Sequence, residues 1–201
     1  MLSTGKIYSL EQINTPRLIL RPLQLGDEFD INKCIKNTFD ILKRTVFWAK
    51  DDSLQASRDF VQNGVFAWQV QMVQNFPMLI TNKEDGKVIG CSGFNDKTDL
   101  KKSEYEIGIW IDLDYQGRGY AKECINCLSY FALDSLSAKK VVLRIDIGNT
   151  ASIAVAKSLD FNCEKKEQRD IKECVDGKKT KCYIFTCDSK KFLTEMKVDI
   201  K

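Results

Sequence analysis

From Glu104 to Phe131 the chain reads EYEIGIWIDLDYQGRGYAKECINCLSYF, and no other stretch restricts the fold as strongly. Tyr105, Ile107, Ile109 and Ile111 alternate with Glu104, Glu106, Gly108 and Trp110, the period of two that gives a strand two different faces. After Gly117 and Gly119 the period changes, and Ala121, Cys124, Ile125, Leu128, Phe131 and Ala132 fall on one side of a helix. A strand is therefore joined to a helix through a short glycine-bearing turn. Such a turn exposes N–H groups that no helical carbonyl satisfies, with the positive end of the helix dipole behind them. An anionic ligand is one use for it, and a tight change of direction is another.

The other segments place this unit in a larger sheet. "RLILRPL" (Arg17 to Leu23) reads as a first strand after Thr15-Pro16, with residues 1–14 as a loosely held extension. From Asp27 to Asn75, Phe29, Ile35, Phe39 and Leu42, then Phe60, Val61, Val65 and Trp68, recur at helical spacing, with Ser53 or Ser57 as a cap for the later helix. "FPMLITNKEDGKVIGCSGFND" is a hairpin turning at Asp85-Gly86. "KKVVLRIDIGN" is a strand, "TASIAVAKSLDF" a short helix and "KCYIFTC" a last strand, after a polar loop around Asp176-Gly177. This order predicts an α+β fold with a mixed central sheet of about six or seven strands flanked by helices. Without repeats or linkers, residues 1–201 are expected to form a single domain.

Composition removes several function classes. The formal charge is +3, and lysines are interleaved with acids rather than gathered, so there is no nucleic-acid signal. No run approaches the roughly 18 apolar residues of a membrane span, and the start lacks a signal core, so a cytoplasmic location is expected. There is no histidine, which excludes Ser-His and Cys-His nucleophiles and leaves Asp, Glu, Tyr, Lys or water as bases. The 8 cysteines suit a reducing compartment. Cys124 and Cys127 lie on or beside the helix stripe, and Cys163, Cys174, Cys182 and Cys187 are too irregularly spaced for zinc, so no metal is expected.

Spacing also excludes two phosphate loops: Lys122 stands where a dinucleotide fingerprint needs its third small residue, and no Gly-Lys-Ser/Thr follows. What fits is Gln/Arg-x-x-Gly-x-Gly/Ala, in the run Gln116, Gly117, Arg118, Gly119, Tyr120, Ala121. This resembles the acetyl-CoA loop of the GNAT N-acetyltransferases. "TPRLILRPL", "EYEIGIWIDLDYQGRGYAKE" and "IGNTASIAVAKSLDF" are similar, in order, to segments of their ribosomal-protein N-terminal (RimJ/RimL-like) branch, so the resemblance covers Thr15 to Phe161.

The resemblance implies an acetyl-CoA-dependent N-acetyltransferase with the cosubstrate in a cleft between two splayed parallel strands, ending at Ile111 and Ile147. Backbone N–H groups from Gln116 to Lys122 would hold the pyrophosphate, with charge from Arg118 and Lys122. The backbone of Ile109, Trp110 and Ile111 would pair with the pantetheine arm, and Asn149 would bond it from the far side. Asn149 or Thr150 is also placed to cap a helix. Direct attack by a neutral amine needs a base, assigned to Glu106 with Glu104 in reserve, and the departing thiolate takes a proton from Ser152 or water.

Two positions depart from the family pattern. Ala156 stands where many members carry a tyrosine acid, and Asp160 replaces the usual glycine before Phe161, at a helix end that favours a left-handed conformation. The acceptor stays open between a protein N-terminus and a small molecule such as an amino acid, polyamine or drug. Specificity is expected from the early helices and the loop 170–181, and monomer and homodimer are both compatible with the sequence. A non-catalytic CoA-binding protein on the same fold is the rival reading.

Overall fold

A computed structural model of the chain describes residues 7–46, 48–70, 74–164, 171–173, 179–191, 193–194 and 197–200. Residues 1–6, Cys174 and the Asp176-Gly177 turn lie outside them. The strands are β1 (Leu10–Asn14), β2 (Leu18–Pro22), β3 (Phe76–Asn82), β4 (Val88–Phe94), β5 (Glu104–Ile111), β6 (Lys140–Asp146), β7 (Asn162–Glu164), β8 (Ile171–Glu173), β9 (Lys179–Cys187) and β10 (Lys197–Ile200). The helices are α1 (Glu28–Thr45), α2 (Leu54–Gln69), α3 (Tyr120–Asp134) and α4 (Thr150–Ser158). The α+β class and mixed sheet are as expected. With ten strands among the described residues the sheet is wider than predicted, in the order β10-β1-β2-β3-β4-β5-β6-β9-β7 with β8 against β9. Part of the N-terminal segment read as a loose extension is β1, paired with β2 and with β10.

Local chemistry explains most boundaries. α1 carries Glu28 and Asp30 in its first turn and Lys43 and Arg44 in its last, matching the helix dipole. Ser53 caps α2, accepting from the Ala56 N–H at 3.1 Å, whereas Ser57 is buried and accepts from Asn32 Nδ2 at 3.0 Å. Phe29, counted in the helical repeat, is 52% exposed, and the stripe that packs is Ile31, Ile35 and Leu42. The hairpin turns where Asp85-Gly86 predicts, with Gly86 at φ 69°.

Two hydrophobic layers hold the sheet. On one face Leu18, Leu20, Met78, Tyr105, Ile107 and Ile111 pack with Tyr120, Cys124, Leu128 and Phe131 of α3. On the other, Leu79 and Cys91 pack with Ile31, Ile35 and Val61 of α1 and α2, bordered by Trp48, Phe60 and Trp110. Cys124 and Cys127 are buried free thiols, and burial pushes the Cys127 thiol up. No helix among the described residues is long and apolar enough to cross a membrane.

Candidate active site

The sheet opens at the only parallel junction among the described residues. β5 and β6 pair at Glu104↔Lys140, Tyr105↔Val141 and Glu106↔Val142, and the pairing stops there. β5 continues to Ile111 held by β4, and β6 continues to Asp146 held by β9. The two strands thus leave a wedge whose inner edges lack a strand partner among the described residues. Glu106 O accepts from Asn95 N and Asp112 N donates to Ile89 O, so this parity of β5 faces β4. The alternation of a ladder then turns Gly108 and Trp110 toward β4 as well, and Ile109 and Ile111 toward the wedge. Trp110, expected to offer its backbone to a ligand alongside them, offers it to Cys91 instead. The Ile111 carbonyl is already taken by Gln116 Nε2 at 2.8 Å.

At the open end of the wedge a single helical turn (Leu113–Tyr115) leads into the glycine loop. Gly117 and Gly119 adopt φ of 75° and 81°, the left-handed region where a Cβ is strained. Nothing stands within 4 Å of where a Gly117 Cβ would be, and near Gly119 the neighbour is the Arg17 guanidinium at 3.4 Å. Gln116, expected to add its N–H to the run, gives it to Leu113 O at 3.3 Å, whereas the N–H groups of Gly117 to Lys122 have no hydrogen-bond partner among the described residues. Six donors in sequence at a helix N-terminus are the arrangement that suits an anion. Arg118 is turned away from it: Nη2 bonds the Asp114 carbonyl at 2.7 Å and the guanidinium lies 5.2 Å from the Tyr115 ring centroid. Lys122 is exposed and makes no ion pair among the described residues. A groove of about 830 Å³ between α1 and the β3–β4 turn meets the loop at Tyr115 and Arg118, but no residue of β6 lines it.

On the far side of the wedge, Asn149 caps α4, its Oδ1 accepting from Ser152 N at 3.0 Å. The Asn149 Nδ2 and the Ser152 hydroxyl make no bond among the described residues. Capping therefore uses one end of the Asn149 amide and leaves its donor end available. Ala156, buried in the core, supplies no acid. Asp160 has φ 60°, and the Asp160 and Phe161 N–H groups return to Lys157 O and Ala156 O at 3.1 Å each, the Schellman closure expected of a glycine.

Glu106 belongs to the last parallel pair before the opening. It is 5% exposed, with Oε1 accepting from Asn95 Nδ2 at 3.0 Å and Oε2 from Arg144 Nη2 at 3.1 Å. Glu104 pairs with Lys140 at 3.3 Å on the outer part of the junction. Asn95 and Arg144 were not singled out from sequence; the one available signal was an arginine on a strand face opposite Leu143 and Ile145. Glu106, Gly108 and Trp110 share the face covered by α1 and α2, and Trp48 lies 6.0 Å from Trp110 and 5.1 Å from Phe60, ring centroid to centroid.

Residues 17–162 match the family model described as Acetyltransferase (GNAT) domain. The uncharacterized N-acetyltransferase p20 of Bacillus licheniformis is 26% identical over 160 residues, 77% of this chain and 84% of that protein. The microcin C7 self-immunity acetyltransferase MccE, solved in complex with acetyl-CoA and AMP, has a TM-score of 0.76 at 19% identity, over 87% of this chain and 94% of its own. The acetyltransferase of Salmonella typhimurium that modifies the N-terminal serine of ribosomal protein L7/L12 has a TM-score of 0.73 at 20% identity, over 89% and 99%. These two structures share the fold. With the family model spanning the wedge, the glycine loop and the α4 corner, the chain belongs to the GNAT acetyltransferases, enzymes that move an acetyl group from acetyl-CoA to an amine.

Proposed function

We propose that this chain, as one cytoplasmic domain, acetylates a protein N-terminal amine, with acetyl-CoA lying in the wedge between β5 and β6. The observation that carries this reading is the adjacency of an unpaired strand edge and a run of free N–H groups. The diphosphate sits on the N–H groups of Gly117 to Lys122, and the pantetheine amides run along Ile109 and Ile111 as a missing strand would. Asn149 Nδ2 donates to the pantetheine arm from the other wall. The N–H of Ile109 or Ile111 polarises the thioester carbonyl where negative charge develops. The acceptor class is supported by the fold shared with an acetyltransferase that modifies the N-terminal serine of a ribosomal protein.

Each step then has a residue. The acceptor arrives as an ammonium and must lose a proton before it attacks. Glu106 is the base: a carboxylate has about four lone-pair sites, and the bonds from Asn95 and Arg144 leave some of them free. The neutral amine attacks the thioester carbon; as the tetrahedral intermediate collapses the C–S bond breaks, the nitrogen gives its second proton to solvent, and the thiolate takes a proton from water or from Ser152, which water reprotonates.

The test is calorimetry with CoA beside a thiol-release assay using acetyl-CoA and short peptides with free N-termini, with polyamines and amino acids as competing acceptors. Gly119→Glu, which puts a carboxylate and a strained Cβ into the cradle, is expected to abolish CoA binding. Glu106→Gln is expected to keep CoA binding and lower kcat by about 100-fold or more, the range of a lost general base. Acetylation of small amines in preference to every peptide would overturn the acceptor class, CoA binding without turnover of any amine would overturn catalysis, and absence of CoA binding would overturn both.

A further inference from the structure

The "TPRLILRPL" segment has no part in the transfer chemistry, yet its first polar residues are tied to the glycine loop across the molecule. Arg17 donates its backbone N–H to Glu123 Oε1 at 2.8 Å, its Nε to Glu123 Oε2 at 2.6 Å and its Nη1 to the Arg118 carbonyl at 2.9 Å. Its guanidinium lies 4.6 Å over the Tyr120 ring. Thr15 Oγ1 donates to Glu123 Oε1 at 2.5 Å. Glu123 is in the first turn of α3, and its side chain is 10% exposed.

Two consequences bear on the loop. A trans peptide directs its C=O and N–H to opposite sides. Holding the Arg118 carbonyl toward Arg17 therefore holds the Gly119 N–H outward, among the donors of the cradle. The second is charge. Glu123 would by itself set a carboxylate one turn behind those donors, where it repels an anion; Arg17 cancels it through a two-point contact. Arg17 Nη2 makes no hydrogen bond among the described residues and lies 3.4 Å from where a Cβ on Gly119 would stand.

We propose that Arg17 is the positioning residue of the diphosphate loop: it fixes the Arg118–Gly119 peptide and neutralises Glu123, so that the loop accepts the doubly charged diphosphate of acetyl-CoA. This rests on the reading that the diphosphate binds at Gly117 to Lys122.

The experiment compares two donors that carry the same thioester, acetyl-CoA and S-acetylpantetheine, which has no diphosphate. Arg17→Ala is expected to lower kcat/KM for acetyl-CoA by about 10-fold or more, through KM, as for loss of charge-assisted bonds. The loss should be confined to that donor. Arg17→Lys keeps the charge but not the fork, and is expected to recover only part of it. The double variant Arg17→Ala/Glu123→Gln, freed of the unpaired carboxylate, is expected to bind CoA more tightly than Arg17→Ala alone, a comparison that also serves if Arg17→Ala folds poorly. Equal losses with both donors, or an unchanged preference for acetyl-CoA in Arg17→Ala, would overturn the proposal while leaving the loop's ligand as read. A wild-type enzyme with no preference for acetyl-CoA over S-acetylpantetheine would overturn the diphosphate reading and this proposal together.

Discussion

Asp160 shows how one side chain carries a cost that the fold absorbs. The end of α4 needs a residue at φ 60°, because the next N–H must return to Ala156 O and bring Phe161 into the core. For most L-residues that conformation costs about 1–2 kcal/mol; Asp tolerates it better, and Gly without strain. Asp160→Gly is therefore expected to stabilise the protein by about 0.5–1 kcal/mol. Thermal unfolding checks it: Tm should rise by about 1–4 °C, with kcat unchanged, since Asp160 lies at the end of α4 opposite Asn149. A fall in Tm would mean that the Asp carboxylate makes a contact outweighing the strain.

Among elements, the contact between the β1–β2 corner and α3 is sensitive to acid. Burial works to raise the Glu123 carboxyl, but the bonds from Thr15, the Arg17 N–H and the Arg17 guanidinium outweigh it and hold the group below its usual 4.5. A carboxyl depressed in the folded state contributes stability that is present above the unfolded value and is lost as pH falls through the folded one. Wild type should accordingly exceed Glu123→Gln in Tm at neutral pH, and the gap should close as pH falls below about 4.5. A gap of constant size across that window would show that the contact does not depend on ionised Glu123. Elements whose signals are local were legible in the sequence: the alternation of β5, the stripe of α3, the Asp85-Gly86 hairpin and the Asn149 corner. β1 and β10 were not, because LEQIN shows no alternation and is made a strand by partners at opposite ends of the chain. The same holds at the site. The donors of the loop follow from its glycines, but which residues of β5 face the wedge depends on the parity of pairing with β4. The arginines that pair with Glu106 and Glu123 come from 38 and 106 positions away.

At the scale of the molecule, the sheet is two half-sheets meeting at a short seam. β10 to β5 form one half and β6, β9, β7 and β8 the other, joined by the parallel pairs between Glu104 and Glu106. Both strands of the seam contribute to its ion pairs, Glu104–Lys140 and Glu106–Arg144, while α3 packs across β5 and β6 on one face. Beyond the seam the inner edges are joined by nothing in the sheet, so a ligand that bonds Ile109 on one wall and Asn149 on the other adds a cross-link that the free protein lacks. A ligand that binds only the folded state stabilises it by about 2.7 kcal/mol at 100 times its Kd. For a chain of this size that corresponds to a rise in Tm of about 5–10 °C. CoA at that excess is expected to produce this shift in a single transition, and to slow amide exchange in both β5 and β6 beyond the seam. Gly119→Glu should show neither effect. Protection of β5 with β6 unaffected would mean that the ligand lies along one wall and does not bridge the halves, and the role given to Asn149 would fail with it.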